Sequence, residues 1–526
     1  MRAPENRCFQ RVLFLAVYSI AAATLLSSSY SEAAEWTVVR QMNLSETYSD
    51  NVRLGQGGSG TGDFITQINP GIIVNGVGNR FRANVNYMAN SLIYAQNSNF
   101  TRIRHRLNAA GTAELAKDLF FVDGSASISQ QNVSLLRPQA IDNVNVTGNR
   151  ADVSAYSISP YLRHRFQDFA TTEVRYTRSW INSSANRLFN SNTDSIFAGL
   201  NSGSAFSTLG WGVNYSNQMI HLSNGRNIEL ERSIGNLRYR VTRQFALTAT
   251  GGYERNSFIS IRGSPSAPLW TVGFIWQPTE RTSIAASGGQ RFFGNTYSGL
   301  ASHRTRLTAW DISYSQDITT FNQQAGLGMG FGFPSASGGA LSSLLAAQNP
   351  SLSPDAVQQA SNAFLGLGLN GSFFSPTNFL TNRLFLQKRL QASVAMNGTK
   401  NTAMLRVFDM TRQAWSPDSA DAGLIGAQEL ALLNHTRQRG ANALWSHRFT
   451  PLMSANANFG YTRFSFIGTG RVDDYWLITL GLSRRFPEIH PNMNGTLQVR
   501  HQERSSDQPG PGYQENAAIA YVNMSS

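Results

Sequence analysis

The feature that most constrains this chain is a run of long segments in which apolar and polar residues alternate at every second position. The clearest case lies between Ala151 and Trp180, where two such segments meet at a tight turn, Gln167-Asp168. In the first, Tyr156, Ile158, Pro160 and Leu162 share a face, and Ser157, Ser159, Tyr161, Arg163 and Arg165 take the other. In the second, Ala170, Thr172, Val174 and Tyr176 alternate with Thr171, Glu173, Arg175 and Thr177. Side chains on a strand point to opposite faces in turn, so each segment reads as a strand with one apolar face and one polar, even charged, face. Both exceed the ~5–6 residues of an ordinary globular strand. A strand tilted by about 45° needs roughly 9–11 residues to cross a bilayer. Phe166, Phe169 and Trp180 stand near the strand ends, where aromatic side chains suit headgroup level. The pair therefore reads as a membrane-spanning β-hairpin.

The rhythm recurs along the chain. It is seen at 80–94, 104–116 and 120–129, then at 192–203, 209–222, 227–242, 245–260, 269–276, 281–295 and 302–314. It resumes at 382–397, 402–415, 440–449, 453–462, 475–486, 492–504 and 515–526, while 37–48 and 63–75 carry it more weakly. Short turns alternate with longer loops, which fits short periplasmic turns and longer extracellular loops. With both termini on one side the strand number must be even. Residues 321–333 supply the strand that evens the count: Leu327, Met329, Phe331 and Phe333 alternate there with glycines. The predicted fold is all-β, a single antiparallel transmembrane β-barrel of about 22 strands, or about 20 without the weak first hairpin. One short helical insertion interrupts it at 334–376. Ser353, Pro354 and Asp355 start a helix there that runs to about Phe364. The insertion is either an extracellular cap or a plug folded into the lumen.

Residues 1–34 read as a signal peptide. Arg2, Arg7 and Arg11 precede an apolar stretch at 12–26, and Ser31-Glu32-Ala33, or its neighbour Ala34, offers the cleavage site. The stretch is short of the ~20 residues a transmembrane helix needs. Cys8, the one cysteine, leaves with the signal, which excludes disulfides, thiolate metal sites and a cysteine nucleophile from the mature barrel, 35–526. The expected location is the bacterial outer membrane, after cleavage near Ala33 or Ala34.

The net charge of +13 comes from arginines spread along strands rather than clustered in runs. That distribution argues against nucleic acid and for lipid phosphates, so the expected partners are outer-membrane lipid and lipopolysaccharide. None of the histidines, His105, His164, His221, His303, His435, His447, His490 and His501 among them, lies in a nucleophile or metal motif. Gly326–Gly332 is not a phosphate loop, because no strand–turn–helix with a following Lys surrounds it. No enzyme activity, cofactor, metal or catalytic residue is expected. The candidate lumen-lining residues are Glu114, Asp123, Tyr161, Arg163, Arg165, Glu173, Arg175 and Arg500. Their charges either pair across neighbouring strands or line a pore that selects solutes. Phe121 and Tyr161 offer either stacking platforms for sugar rings or packing against a plug.

Several passages resemble one family. They are Glu46-Thr-Tyr-Ser-Asp-Asn-Val52, Ser127-Ile-Ser-Gln-Gln-Asn132, Asn143-Val-Asn-Val-Thr-Gly-Asn149 and Ser157-Ile-Ser-Pro-Tyr-Leu-Arg-His-Arg165. Gly210-Trp-Gly-Val-Asn-Tyr215, Arg291-Phe-Phe-Gly-Asn295 and Leu482-Ser-Arg-Arg-Phe486 add to them. Together they resemble the PEP-CTERM (exosortase) system-associated outer membrane proteins. The resemblance implies an outer-membrane barrel in Gram-negative bacteria that make exopolysaccharide and sort proteins by a C-terminal tag. It carries over no site residues. The function it implies is a pore or export channel of the envelope, with exopolysaccharide or PEP-CTERM proteins as partners. The alternative is a closed scaffold barrel whose long extracellular loops bind a partner or surface polysaccharide; a barrel enzyme ranks below both. Ser526 stands where such barrels commonly end in an aromatic residue.

Overall fold

A computed structural model describes residues 34–56, 60–185, 190–321, 379–421, 429, 432–508 and 512–526. Its strands are β1 (Glu35–Ser49), β2 (Asp63–Gly78), β3 (Phe81–Tyr94), β4 (Arg102–Ala116), β5 (Phe120–Asn132), β6 (Arg150–Phe166) and β7 (Ala170–Ser183). There follow β8 (Ser191–Ser202), β9 (Leu209–Leu222), β10 (Asn227–Arg240), β11 (Phe245–Asn256), β12 (Ala267–Thr279), β13 (Thr282–Arg291), β14 (Gly294–Arg304) and β15 (Thr308–Thr319). The last are β16 (Phe385–Asn397), β17 (Asn401–Ala414), β18 (His435–Thr450), β19 (Met453–Phe466), β20 (Arg471–Arg485), β21 (Asn494–Ser506) and β22 (Tyr513–Ser525). Each strand pairs antiparallel with the next, and β1 closes on β22 from Gln41↔Ser525 to Ser49↔Ala517. The result is a closed 22-stranded antiparallel β-barrel. Closure leaves no sheet edge along that seam, which satisfies the backbone where water is absent.

Alternation sets the two faces of the wall. On β6, Ile158 and Leu162 are 46% and 47% exposed, while Ser159 and Tyr161 are 4% and 5% exposed. The outward side chains meet lipid, and the inward ones face the lumen. Large apolar residues stay exposed around the circumference, among them Ile103, Leu237, Val272, Ile312, Leu405 and Leu480. On a soluble protein such a continuous apolar surface would aggregate; in a bilayer it is the lipid-facing band. Tyr48, Phe64 and Tyr253 are exposed towards one end of the wall, and Trp36, Phe166, Phe169 and Phe449 towards the other, as aromatic girdles.

Both termini lie at the same end, where Arg40 and Ser526 exchange backbone hydrogen bonds of 3.0 Å. The connections there are short: 79–80, 117–119, 167–169, 305–307, 398–400 and 451–452. Asp118 and Gln167 take left-handed backbone angles, with φ of 55° and 48°, to make two of these turns. The far end carries 50–62, 133–149, 257–266, 320–384 and 415–434. This asymmetry makes the terminal end periplasmic and the far end extracellular.

The strand that evens the count is β14, not 321–333. The sequence reading ran 281–295 into one strand and 302–314 into the next, so β14 was divided between them. Thr305-Arg306-Leu307, the turn between β14 and β15, holds no Gly, Pro, Asn or Asp to mark it. β15 pairs directly with β16 from Thr308↔Met396 to Thr319↔Phe385, which leaves no place in the wall for a strand between them. Residues 322–333, the helical insertion 334–376 and the signal residues 1–33 lie outside the described residues.

Candidate functional site in the lumen

The lumen is built from the inward faces of the strands and from extracellular loops that fold back between them. Five of the eight candidates meet on β5, β6 and β7. Arg175 Nη1 donates to Asp123 Oδ2 at 2.7 Å, and its Nε to Glu173 Oε1 at 2.9 Å. Arg163 donates to Glu173 Oε2 through Nε and Nη2, both at 3.2 Å. The Arg175 guanidinium lies 3.7 Å from the Tyr161 ring centroid, and Tyr161 stacks on Phe121 at 5.1 Å with 14° between planes. Two arginines therefore face two carboxylates over an aromatic pair. The charges brace the wall across its strands rather than standing free as a selecting ring.

The other three candidates are elsewhere. Glu114 accepts the backbone N–H of Asp118 at 2.5 Å, at the periplasmic turn between β4 and β5. Arg165 donates through Nε to the Gln167 carbonyl at 3.1 Å and lies 3.7 Å from Asp168, at the next such turn. Both hold turns at the mouth. Arg500, on β21, belongs to a separate buried network with an extracellular loop.

That loop, 133–149, crosses from β5 and β6 to β20–β22, which the wall itself reaches only through β1–β4. Its alternation is too irregular for a strand, and its apolar residues are what fold it inward. Leu135, Leu136 and Ile141 are buried against Leu54, Phe379, Phe385, Phe464, Phe466 and Leu477. Val144 packs with Val52, Ile65, Leu92 and Tyr94. Polar contacts then fix it. Arg500 bonds Asp142, and donates to Glu515 at 3.0 and 3.2 Å. Asn145 donates to Glu515 at 2.7 Å, as does Ser49 at 2.6 Å. Arg504 reaches the carbonyls of Leu135 at 2.8 Å and Arg137 at 2.7 Å while bonding Asp473 at 2.7 Å. Tyr94 Oη donates to the Val144 carbonyl at 2.6 Å, and Arg102 to the Asn143 carbonyl at 2.9 Å. Burial pushes the Asp142 carboxyl up, but the guanidinium of Arg500, with the Val144 N–H and Arg150, pulls it further down, to below its ordinary 3.8. Asp142 is thus an ionised clasp.

A second clasp joins 379–384 to 415–434. Thr381 Oγ1 and the Asn382 N–H donate to Asp421 at 2.7 and 2.6 Å. Arg383 donates to Asn434 at 2.6 Å and to the Ser416 carbonyl at 3.2 Å, and lies 2.8 Å from Asp418. Burial raises the Asp421 carboxyl and lowers the Arg383 guanidinium.

Further inward arginines stand outside the predicted set. Arg102, Arg104 and Arg106 share the inward face of β4, whose outward neighbour Ile103 is exposed. Arg389 on β16 and Arg406 and Arg412 on β17 line another stretch of wall. Arg104 has a carboxylate, Asp152 at 2.6 Å. In the β16–β17 group Arg389 donates to Gln391 at 2.6 Å, Arg406 bonds the same amide, and Arg412 donates to Gln387 at 3.1 Å, while Asp311 on β15 stands in the register row of Ser393 and Arg406. Arg406 is fully buried, and its Nε and Nη1 have no hydrogen-bond partner among the described residues. The signal was legible as arginine at every second position in 102–106, once the polar face is taken as lumen.

No protein-family model matches the chain, and no curated protein matches it. Among solved structures, the FrpB iron transporter of Neisseria meningitidis (F5-1 variant) is similar at 12% identity and a TM-score of 0.49, over 93% of this chain and 82% of that one. The siderophore receptor PirA of Pseudomonas aeruginosa gives 10% identity and 0.44, over 93% and 80%. Pseudomonas aeruginosa OccK2 (OpdF) gives 7% and 0.35, over 93% and 97%. Likenesses this distant say nothing of cargo.

Proposed function

We propose that this chain is a conduit of the bacterial outer membrane, with a lumen that favours anions and an extracellular entrance narrowed by inward loops. The observation that carries this is the arginine wall of β16–β17. Arg389 and Arg406 face inward and share the Gln391 amide, with the single carboxylate of Asp311 in the register row of Arg406, so the pair keeps a net positive charge. An acidic polysaccharide is the cargo class that such a wall would accept. This agrees with the exopolysaccharide and exosortase setting implied by the sequence resemblance, and we place the protein there, matured by cleavage near Ala33 or Ala34. The reading is of a pore and not an enzyme. The outward histidines are engaged sideways with neighbours on the wall, His105 with Tyr87, His303 with Thr282, His447 with Asn401 and His501 with Asn516, each at 2.8 Å.

Planar-bilayer recording of the purified folded barrel tests this. The expected result is a conductance that prefers anions, with the preference reduced in Arg389→Gln/Arg406→Gln. No conductance, or a cation preference unaffected by those changes, would contradict it. One observation favours a second reading, a closed scaffold that binds a partner through its loops: the clasps of 133–149 and 379–384 are buried and well bonded. That reading predicts silence in the bilayer and a stable partner on purification from cells.

A further inference from the structure

The lipid-facing wall carries charge where a purely apolar band would suffice. Just below the extracellular rim, outward side chains on four adjacent strands form one cross-strand row. Asp409 on β17 stands opposite Arg439 on β18, Arg439 opposite Arg463 on β19, and Arg463 opposite Asp474 on β20. Their outward orientation follows from their neighbours of like parity, because Val407, Trp445, Phe459 and Trp476 are all exposed. Two arginines thus face each other directly, an arrangement that costs stability unless something between them is negative. Each has a carboxylate on its far side: Arg439 Nε lies 3.2 Å from Asp409, and Arg463 Nε and Nη2 lie 2.8 and 3.0 Å from Asp474. These bonds use only part of the five donors on a guanidinium. Arg437, next up the same face of β18, also bonds Asp409, and Lys388 on β16 is exposed one row above that carboxylate. Four cations therefore surround two carboxylates on a surface that touches lipid; Ser505, on β21, ends the row, with Glu503 opposite Trp476 one row below.

The wall beneath is shaped for chains. Tyr461 and Trp476 sit against each other at 4.3 Å directly under the row, and Ala441 and Ala443 leave a shallow strip beside them. Six residues further down the strands, roughly 20 Å, Trp445, Ala457, Leu480, Val499, Ala518 and Tyr48 lie in one register row and line an apolar groove of about 630 Å³.

We infer that this face binds a phosphorylated lipid of the outer leaflet, its phosphate held between Arg439 and Arg463 and its acyl chains descending along Ala441 and Ala443 towards the groove. Charge complementarity selects the headgroup, because a phosphate between the two guanidiniums relieves their repulsion and takes up their spare donors in the forked geometry arginine favours. The inference needs the barrel to span the membrane. It does not need the lumen to conduct, so silence in the bilayer experiment would leave it standing.

The test uses the full folded chain in a neutral detergent. Its thermal unfolding is followed by the gel shift between heated and unheated samples, with bis-phosphorylated lipid A, neutral phosphatidylcholine or inorganic phosphate added. Lipid A is expected to raise the midpoint, and Arg439→Gln/Arg463→Gln to weaken its binding by roughly tenfold or more. Asp409→Asn/Asp474→Asn, which removes the competing carboxylates, is expected to bind lipid A at least as tightly. Equal stabilisation by phosphatidylcholine would show a groove without a headgroup site. Equal stabilisation by inorganic phosphate alone would show a free-anion site. Either result, or undiminished lipid A binding in the arginine variant, would overturn the proposal.

Discussion

Arg500 shows how much one side chain contributes to an entrance. It is buried between Glu515 of the wall and Asp142 of the inward loop, and both carboxylates depend on it. Removing one partner of a buried ion pair costs roughly 3–5 kcal/mol, because the charge left behind is neither hydrated nor paired. Arg500→Leu is therefore expected to release 133–149, with faster hydrogen exchange across that loop in mass spectrometry while the barrel stays folded. Unchanged exchange would contradict the clasp. The same contact has a pH signature. Docking lowers the Asp142 carboxyl below its free value of 3.8, so its contribution is complete above that value. It is lost as the pH falls below that value and through the lower docked pKa. Asp142→Asn should flatten that response.

At the scale of elements, the sequence made the wall legible and hid the entrance. Ile158, Ser159, Tyr161 and Leu162 take the faces their alternation predicts, because a bilayer punishes every outward polar residue and so enforces the period. The boundary between β14 and β15 is hidden for a local reason: the turn at 305–307 holds none of the usual turn residues. In the sequence, 135–150 reads only as a longer polar loop, because its polar residues are many. Asn145, Asn149 and Ser134 are nevertheless buried, satisfied by the wall and by each other, with Asn149 accepting the Ser134 N–H at 2.9 Å. A single sequence cannot show which distant strands will supply such partners. Of the candidates, Asp123, Tyr161, Arg163, Glu173 and Arg175 converge because they sit on neighbouring strands, whereas Arg500 answers to a loop far away in sequence. Replacing 135–145 with a short Gly/Ser link is expected to raise single-channel conductance in a barrel that still folds, though less stably. An unaltered conductance would mean that this loop does not narrow the path.

For the whole molecule, the consequence of closure is that every strand has one face in lipid and one in the lumen. Fluorescence quenching on single cysteines tests this most directly, with Cys8 first replaced by serine. Probes at Ile158→Cys, Leu162→Cys and Val174→Cys in reconstituted vesicles should be quenched by brominated lipid. Probes at Ser157→Cys, Thr171→Cys and Thr177→Cys, one position off in register, should not. Quenching that fails to alternate along β6 and β7 would contradict the barrel, and with it both the conduit and the lipid site.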